Sequence, residues 1–147
     1  KHSVEDYIKI YEKLIKINKD IKFSSDFIIG YPSETYDDFK KTLQIMSQIK
    51  FINSFSFIFS ARPGTPAFNL DKIDEKVSRD RLIEFQHTAE NIKTDYRKKL
   101  VNKTAKVLFE NKMKSGNKYF GRDEYFNSVI VESKNNLTGK IKNVKSL

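Results

Sequence analysis

Asp26-Phe27-Ile28-Ile29-Gly30-Tyr31-Pro32-Ser33-Glu34-Thr35 is the stretch from which the rest of the chain can be read. Residues 23–31 form a short, mostly apolar run that suits a strand buried on both faces. Pro32 stops that strand, and Gly30 ahead of Tyr31-Pro32 lets a flat ligand approach the backbone beside it. Thr35-x-x-Asp38 then opens a helix with Phe39, Leu43, Met46 and Ile49 along one face. Glu34, Asp37 and Asp38 cluster at its start, where the helix dipole favours negative charge. A second strand follows at residues 55–60, closed by Arg62-Pro63-Gly64-Thr65-Pro66.

Upstream, Ser3-x-x-Asp6 reads as a capping box with Asp in place of the usual Glu. Val4, Tyr7, Ile8, Tyr11, Leu14 and Ile15 follow at helical spacing, which predicts an amphipathic helix over residues 4–18. Helix, strand, helix, strand is the rhythm of a parallel α/β sheet. The prolines of the chain, Pro32, Pro63 and Pro66, all come directly after its two strands. In parallel sheets ligands bind at the carboxyl ends of strands, although Pro and Gly also simply punctuate turns. Glu34 reads as a helix-start carboxylate in preference to a catalytic group. Arg62 suits either a clamp on a phosphate or carboxylate or a pair with a nearby Asp.

Downstream, residues 78–102 predict a long helix with Leu82, Phe85, Ala89, Ile92, Tyr96 and Leu100 as its apolar stripe and His87 at the surface. After Asn102 the period changes. Residues 104–110, 119–125, 128–132 and 139–144 read as four short strands, which suggest a small OB-like barrel lacking its fifth strand.

Charge divides the chain at Tyr96. Residues 1–96 hold 15 Lys and Arg and 15 Asp and Glu, whereas residues 97–147 hold 13 Lys and Arg against Glu110, Asp123, Glu124 and Glu132. The whole net charge of +9 therefore belongs to the second part. Its basic residues are interleaved with Phe109, Tyr119, Phe120, Tyr125 and Phe126, a mixture that suits phosphate neutralisation and base stacking better than plain solvation. Cysteine is absent, which excludes disulfides and thiolate-held zinc or iron–sulfur sites on this chain, and His2 and His87 alone do not make a metal site. No P-loop, dinucleotide glycine pattern or catalytic triad spacing occurs. With no apolar run long enough to span a membrane and a charged opening, Lys1-His2-Ser3-Val4-Glu5-Asp6, a cytoplasmic protein is expected.

Three segments carry a resemblance. Asp26 to Phe39 looks like the "DxIxGFPGETxxDF" segment of the radical S-adenosylmethionine (radical SAM) methylthiotransferases. Phe55 to Ala67 is similar to their "FSFIYSPRPGTPA" segment, and Gly121-Arg122-Asp123-Glu124 resembles the start of the "GRTE" stretch of their TRAM domain. Ser33 stands where that pattern has Gly, Ala61 where it has Pro, and Phe68 is bulky where a small residue is common. The Arg62-Pro63 form favours the tRNA branch of the family over the branch that acts on a ribosomal protein.

The resemblance implies an α/β part followed by a small β part. Residues 1–77 would be the end of a radical SAM partial (β/α) barrel, residues 78–96 a connecting helix docked on it, and residues 97–147 an incomplete OB-like TRAM domain. It implies a transferase that methylthiolates C2 of a prenylated adenosine next to the tRNA anticodon, with S-adenosylmethionine as radical source and methyl donor. Two 4Fe-4S clusters would be held by cysteines outside this chain, so the chain alone is expected to be inactive and to lack catalytic and metal-binding residues of its own. By the same resemblance Ile28, Ile29 and Gly30 border S-adenosylmethionine, and Arg62, Pro63, Gly64 and Thr65 sit at the mouth of the site. Lys118, Phe120, Arg122 and Tyr125 would face RNA, cations for phosphates and aromatics for bases. The expected partners are the anticodon arm of tRNA and an electron donor for the clusters, on a monomeric protein. The alternatives are a non-catalytic RNA-binding module, or a methylthiotransferase for threonylcarbamoyladenosine tRNA or a ribosomal protein.

Overall fold

The computed structural model describes residues 3–145, so Lys1, His2, Ser146 and Leu147 lie outside the described residues. The chain folds as two compact units, Lys1–Tyr96 and Arg97–Leu147, and the charge divides at the same junction.

In the first unit, α1 (Val4–Ile17) leads to β1 (Ser24–Ile29), α2 (Tyr36–Ile49), β2 (Asn53–Ile58), a short 3-10 turn (Pro66–Asn69) and the long α3 (Glu75–Lys98). Both expected capping boxes form. Ser3 Oγ accepts from Asp6 N at 3.1 Å while Ser3 N donates to Asp6 Oδ2, and Thr35 Oγ1 accepts from Asp38 N at 3.1 Å while Thr35 N donates to Asp38 Oδ2. Each box satisfies backbone N–H groups that a helix start otherwise leaves without partners. β1 and β2 pair in parallel, in register from Ser24↔Asn53 to Ile29↔Ile58. Ile29, Phe39, Met46, Ile49, Phe51 and Phe85 make the core, with Phe27 between the Phe51 and Phe85 rings at 5.4 and 4.8 Å.

Two differences from expectation have local causes. β1 is buried on one face, not two: Phe27 and Ile29 turn inward while Ser24, Asp26 and Ile28 are exposed. The side chains of α2 and α3 pack into the same cluster as Phe27 and Ile29, so both helices serve one face of the sheet. In β2, Phe55 pairs with Asp26 and Phe57 with Ile28, which continues the open face. The long helix starts at Glu75 rather than residue 78 because Asp74 Oδ1 accepts from Lys76 N at 2.9 Å and Val77 N at 3.1 Å. It ends at Lys98 rather than residue 102, through turns closed by Leu100 N to Arg97 O and Lys103 N to Leu100 O, with Asn102 left-handed at φ 64°.

The second unit contains β3 (Thr104–Lys112), β4 (Lys118–Asp123), β5 (Ser128–Glu132) and β6 (Ile141–Lys145), close to the four runs expected. They form one antiparallel sheet in the order β5-β4-β3-β6, with a bulge in β3 between Phe109 and Asn111. Val107, Phe109 and Tyr119 are buried beneath Val129, Val131, Leu137 and Val144. Phe109 and Tyr119, two of the aromatics interleaved with the basic residues, are thus core and not part of an RNA-facing surface. No helix among the described residues is long and apolar enough to cross a membrane.

Gly121 sits where β4 crosses β3 closely: a Cβ there would lie 2.5 Å from Leu108 O and 2.8 Å from Val107 Cγ1. Backbone cannot yield as a flexible side chain does. Gly121→Ala is expected to destabilise this sheet by about 1–3 kcal/mol, read as an earlier midpoint in urea unfolding; an unchanged midpoint would contradict the close approach.

Candidate ligand loops and nucleic-acid face

Parallel pairing places the carboxyl ends of β1 and β2 side by side, so the loops that follow them leave from the same edge. Phe59 N donates to Ile29 O at 2.8 Å, and the Tyr31 and Phe59 rings meet edge to face at 5.1 Å. The two proline-bearing segments singled out in the sequence are therefore brought together. On the open face beside them Ile28, Phe55 and Phe57 are 61%, 59% and 58% exposed. Ile29 points the other way, into the core, at 1% exposure.

The first loop is a tight turn. Glu34 N donates to Tyr31 O at 2.9 Å, Pro32 is buried, and Ser33 is left-handed at φ 71°. Proline at the second position and a positive φ at the third is the arrangement of a type II turn, which favours glycine at the third. Ser33 stands where the resembled pattern has that glycine.

Glu34 ties this turn to α3. Its Oε2 accepts from Gly30 N at 3.1 Å, and its Oε1 lies 2.6 Å from Arg81 Nη1, which also donates to Glu34 O at 3.0 Å. The two side chains are only 11% and 12% exposed, and the Arg81 guanidinium lies 5.8 Å from the centre of the Phe39 ring. Beside it, Ser78 packs so closely that a Cβ on Gly30 would lie 2.6 Å from Ser78 Oγ. Glu34 is therefore more than the helix-start carboxylate expected. It is held from both sides by donors of the fold. Sequence reasoning missed Arg81, although Ser78, Arg81 and Phe85 fall at i, i+3 and i+7, so a charge stands on the buried stripe of α3. Asp38, at the start of α2, has its carboxyl held below the usual carboxylate range by the Thr35 hydroxyl.

The second loop is more open. Thr65 donates from Oγ1 at 2.7 Å and from N at 3.3 Å to Arg62 O, and Gly64 is left-handed at φ 82°. Arg62, Pro63, Gly64 and Thr65 are exposed, and Arg62 has no acidic partner among the described residues.

In the second unit the cross-strand register sorts the residues by face. Lys118 pairs with Glu132, Phe120 with Ile130, and Arg122 with Ser128 and Leu108. Residues opposite one another share a face, so Lys118, Phe120 and Arg122 lie together on the side away from the core, with Lys106, Leu108 and Ile141. Arg122 is already engaged: its Nη1 lies 2.7 Å from Glu110 Oε1, and its guanidinium stands 5.2 Å from the Phe120 ring centre. Tyr125 lies outside the paired strands, half-buried in the β4–β5 turn. His87 is exposed as expected, and no group of three or more His, Cys, Asp or Glu among the described residues could hold a metal ion.

No family model matches the chain. Individual proteins do, along its whole length. It is 52% identical over 145 residues to the tRNA-2-methylthio-N(6)-dimethylallyladenosine synthase of Pelagibacter ubique, a match covering 99% of this chain and 32% of that protein. The synthase of the same name from Wolbachia pipientis wMel is 37% identical over 150 residues, and that of Ehrlichia ruminantium (strain Welgevonden) 37% over 136 residues. These matches cover 100% and 92% of this chain and 34% and 31% of the relatives. Along nearly its whole length the chain is similar to the C-terminal part of these synthases. It spans about a third of the length of the curated relatives it matches.

The turn that resembles the family's glycine-bearing segment generates two predictions. Ser33→Gly relieves an exposed left-handed serine and is expected to raise stability by about 1 kcal/mol; thermal unfolding that moves down instead would mean that Ser33 is not held left-handed. Glu34→Ala strands a buried guanidinium and is expected to cost about 3–5 kcal/mol, part of it recovered in the double variant with Arg81→Met. A urea titration separates these outcomes, and a cost below that of an ordinary surface change would refute the bridge.

Proposed function

We propose that the chain is the C-terminal third of a radical SAM tRNA methylthiotransferase, which adds a methylthio group at C2 of N6-dimethylallyladenosine next to the anticodon. The observation that carries this reading is the 52% identity over 145 residues, which runs across both units. The α/β loops and the basic sheet are shared with the synthase as one inheritance. On this reading residues 1–77 close the partial (β/α) barrel, residues 78–96 dock on it, and residues 97–147 are a TRAM domain that holds tRNA.

S-adenosylmethionine, when bound, supplies the radical source and the methyl group. Ile28, with Phe57 beside it in register, offers an adenine ring an apolar surface on the open face of the sheet. Gly30 follows that strand, its missing Cβ leaving room for Ser78 of α3, and Ile29 anchors the strand in the core beneath. The Arg62–Thr65 loop stands at the same edge, with its guanidinium exposed toward a phosphate or carboxylate. Two 4Fe-4S clusters do not fit this chain: it has no cysteine and no metal-holding cluster among the described residues. Their ligands and the electron donor that reduces them belong elsewhere in the proposed enzyme, and a cytoplasmic monomer fits this reading.

The basic unit gives the test that this chain can answer by itself. If residues 97–147 neutralise RNA phosphates, affinity for a tRNA anticodon arm falls roughly 100-fold between 50 and 200 mM salt for about four phosphate contacts. Lys118→Ala is expected to lower the salt slope by about 1. Binding measured by fluorescence anisotropy that ignores salt would sink the assignment.

A further inference from the structure

The aromatics of the basic unit do not share one fate. Phe109 and Tyr119 are buried, Phe120 lies under the Arg122 guanidinium, and Tyr125 is half-buried. Phe126, at the tip of the β4–β5 turn, is 74% exposed. It is also left-handed at φ 62°, a conformation that costs a bulky side chain free energy.

The turn is built to hold it there. Asp123 Oδ1 accepts from Tyr125 N at 2.9 Å and from Asn127 N at 2.8 Å, and Asp123 Oδ2 accepts from Asn127 Nδ2 at 2.8 Å. Phe126 N donates to Asp123 O at 3.0 Å, and Asp123 N to Asn127 O at 3.1 Å. One carboxylate thus fixes the backbone on both sides of a ring that contributes almost nothing to the core. Strain and apolar exposure together disfavour this arrangement for folding alone.

We infer that Phe126 is a stacking platform for one unpaired nucleobase of RNA held by the basic unit; the inference rests on reading that unit as RNA-binding. Charge decides the class of occupant. Residues 97–147 hold 13 Lys and Arg against 4 Asp and Glu. Register places cations at the same end of the sheet as the turn: Asp123 pairs with Val107, next to Lys106, and Lys145 pairs with Thr104, next to Lys103. These side chains are exposed and suit the phosphates that flank a base. At the tip itself Glu124 is exposed and repels phosphate, which leaves the flat face of the ring as what the turn offers.

The experiment uses the 147-residue chain and a fluorescein-labelled anticodon stem-loop RNA. Phe126→Ala is expected to weaken binding about 5- to 150-fold with the salt slope unchanged, because a stacked base and no phosphate contact is lost. Phe126→Leu, apolar but not planar, is expected to behave like the alanine variant. Phe126→Trp restores binding and places a single tryptophan in a chain that otherwise has none, so its emission is quenched as RNA saturates. Alanine or leucine variants that bind within about twofold of the parent chain overturn the proposal, as does tryptophan emission indifferent to RNA. The ring then serves a protein contact. If the parent chain itself binds no RNA, the reading of the basic unit fails and takes this one with it, an outcome distinct from equal binding by parent and variant.

Discussion

The buried pair between Glu34 and Arg81 is the constraint on which the first unit is arranged. A single carboxylate accepts from the backbone N–H at the end of β1 and from a guanidinium on α3, and that guanidinium also bonds the backbone carbonyl of Glu34. Two charges this far from water must compensate one another closely, and the added backbone bonds supply what the pair alone would lack. Because the partners are 47 residues apart in the chain, the docking of α3 fixes the position of a turn whose shape is already set locally. Ser78 against Gly30 makes the same demand sterically. The loop at the carboxyl edge of the sheet is therefore positioned by tertiary structure, although its turn chemistry is local.

That arrangement leaves the sheet asymmetric. Both helices of the βαβ segment and its sequel pack on the face of Phe27 and Ile29, and the opposite face presents Ile28, Phe55 and Phe57. Ile28 and Phe57 in register, with Phe55 beside Asp26, make a largely apolar surface next to two loops whose backbones turn through left-handed residues. For a protein core such a surface would be a defect. For an adenine-bearing ligand in the proposed synthase it is the expected lining, with polar selectivity left to the loops around it.

Much of this was legible in the sequence, and the boundary of what was legible is physical. The capping boxes at Ser3 and Thr35 are short-range patterns whose hydrogen bonds are made within four residues, so they form wherever a helix forms. The strand runs of the basic unit alternate strongly enough to survive into four paired strands. By contrast, the reading of β1 as buried on both faces failed because a continuous apolar run says that a strand is apolar, not how many layers will cover it. Ile28 and Ile29 are adjacent and chemically alike, yet pleating sends one to the open face and the other to the core. Arg81 was missed because a single charge on a helix stripe is normally solvated. Only the fold brings Glu34 to it.

The basic unit shows the same limit for charge. Composition placed all +9 in residues 97–147, but a net charge does not say which cations are available. Arg122 is bonded to Glu110 through both carboxylate oxygens and stacked over Phe120, so any phosphate reaching it must compete with an ion pair already made. Lys118 pairs across the strands with Glu132, whereas Lys106 pairs with Asn143. The electrostatic face is therefore uneven: Arg122 is compensated by Glu110, while Lys106, near the same end of the sheet, stands across from Asn143 and not from a carboxylate. On the proposed reading, RNA drawn by its phosphates to Lys103, Lys106 and Lys145 would meet Phe126, which the turn keeps out of the core. In that proposal charge would bring the polymer, and the rigid turn would decide what part of it is touched.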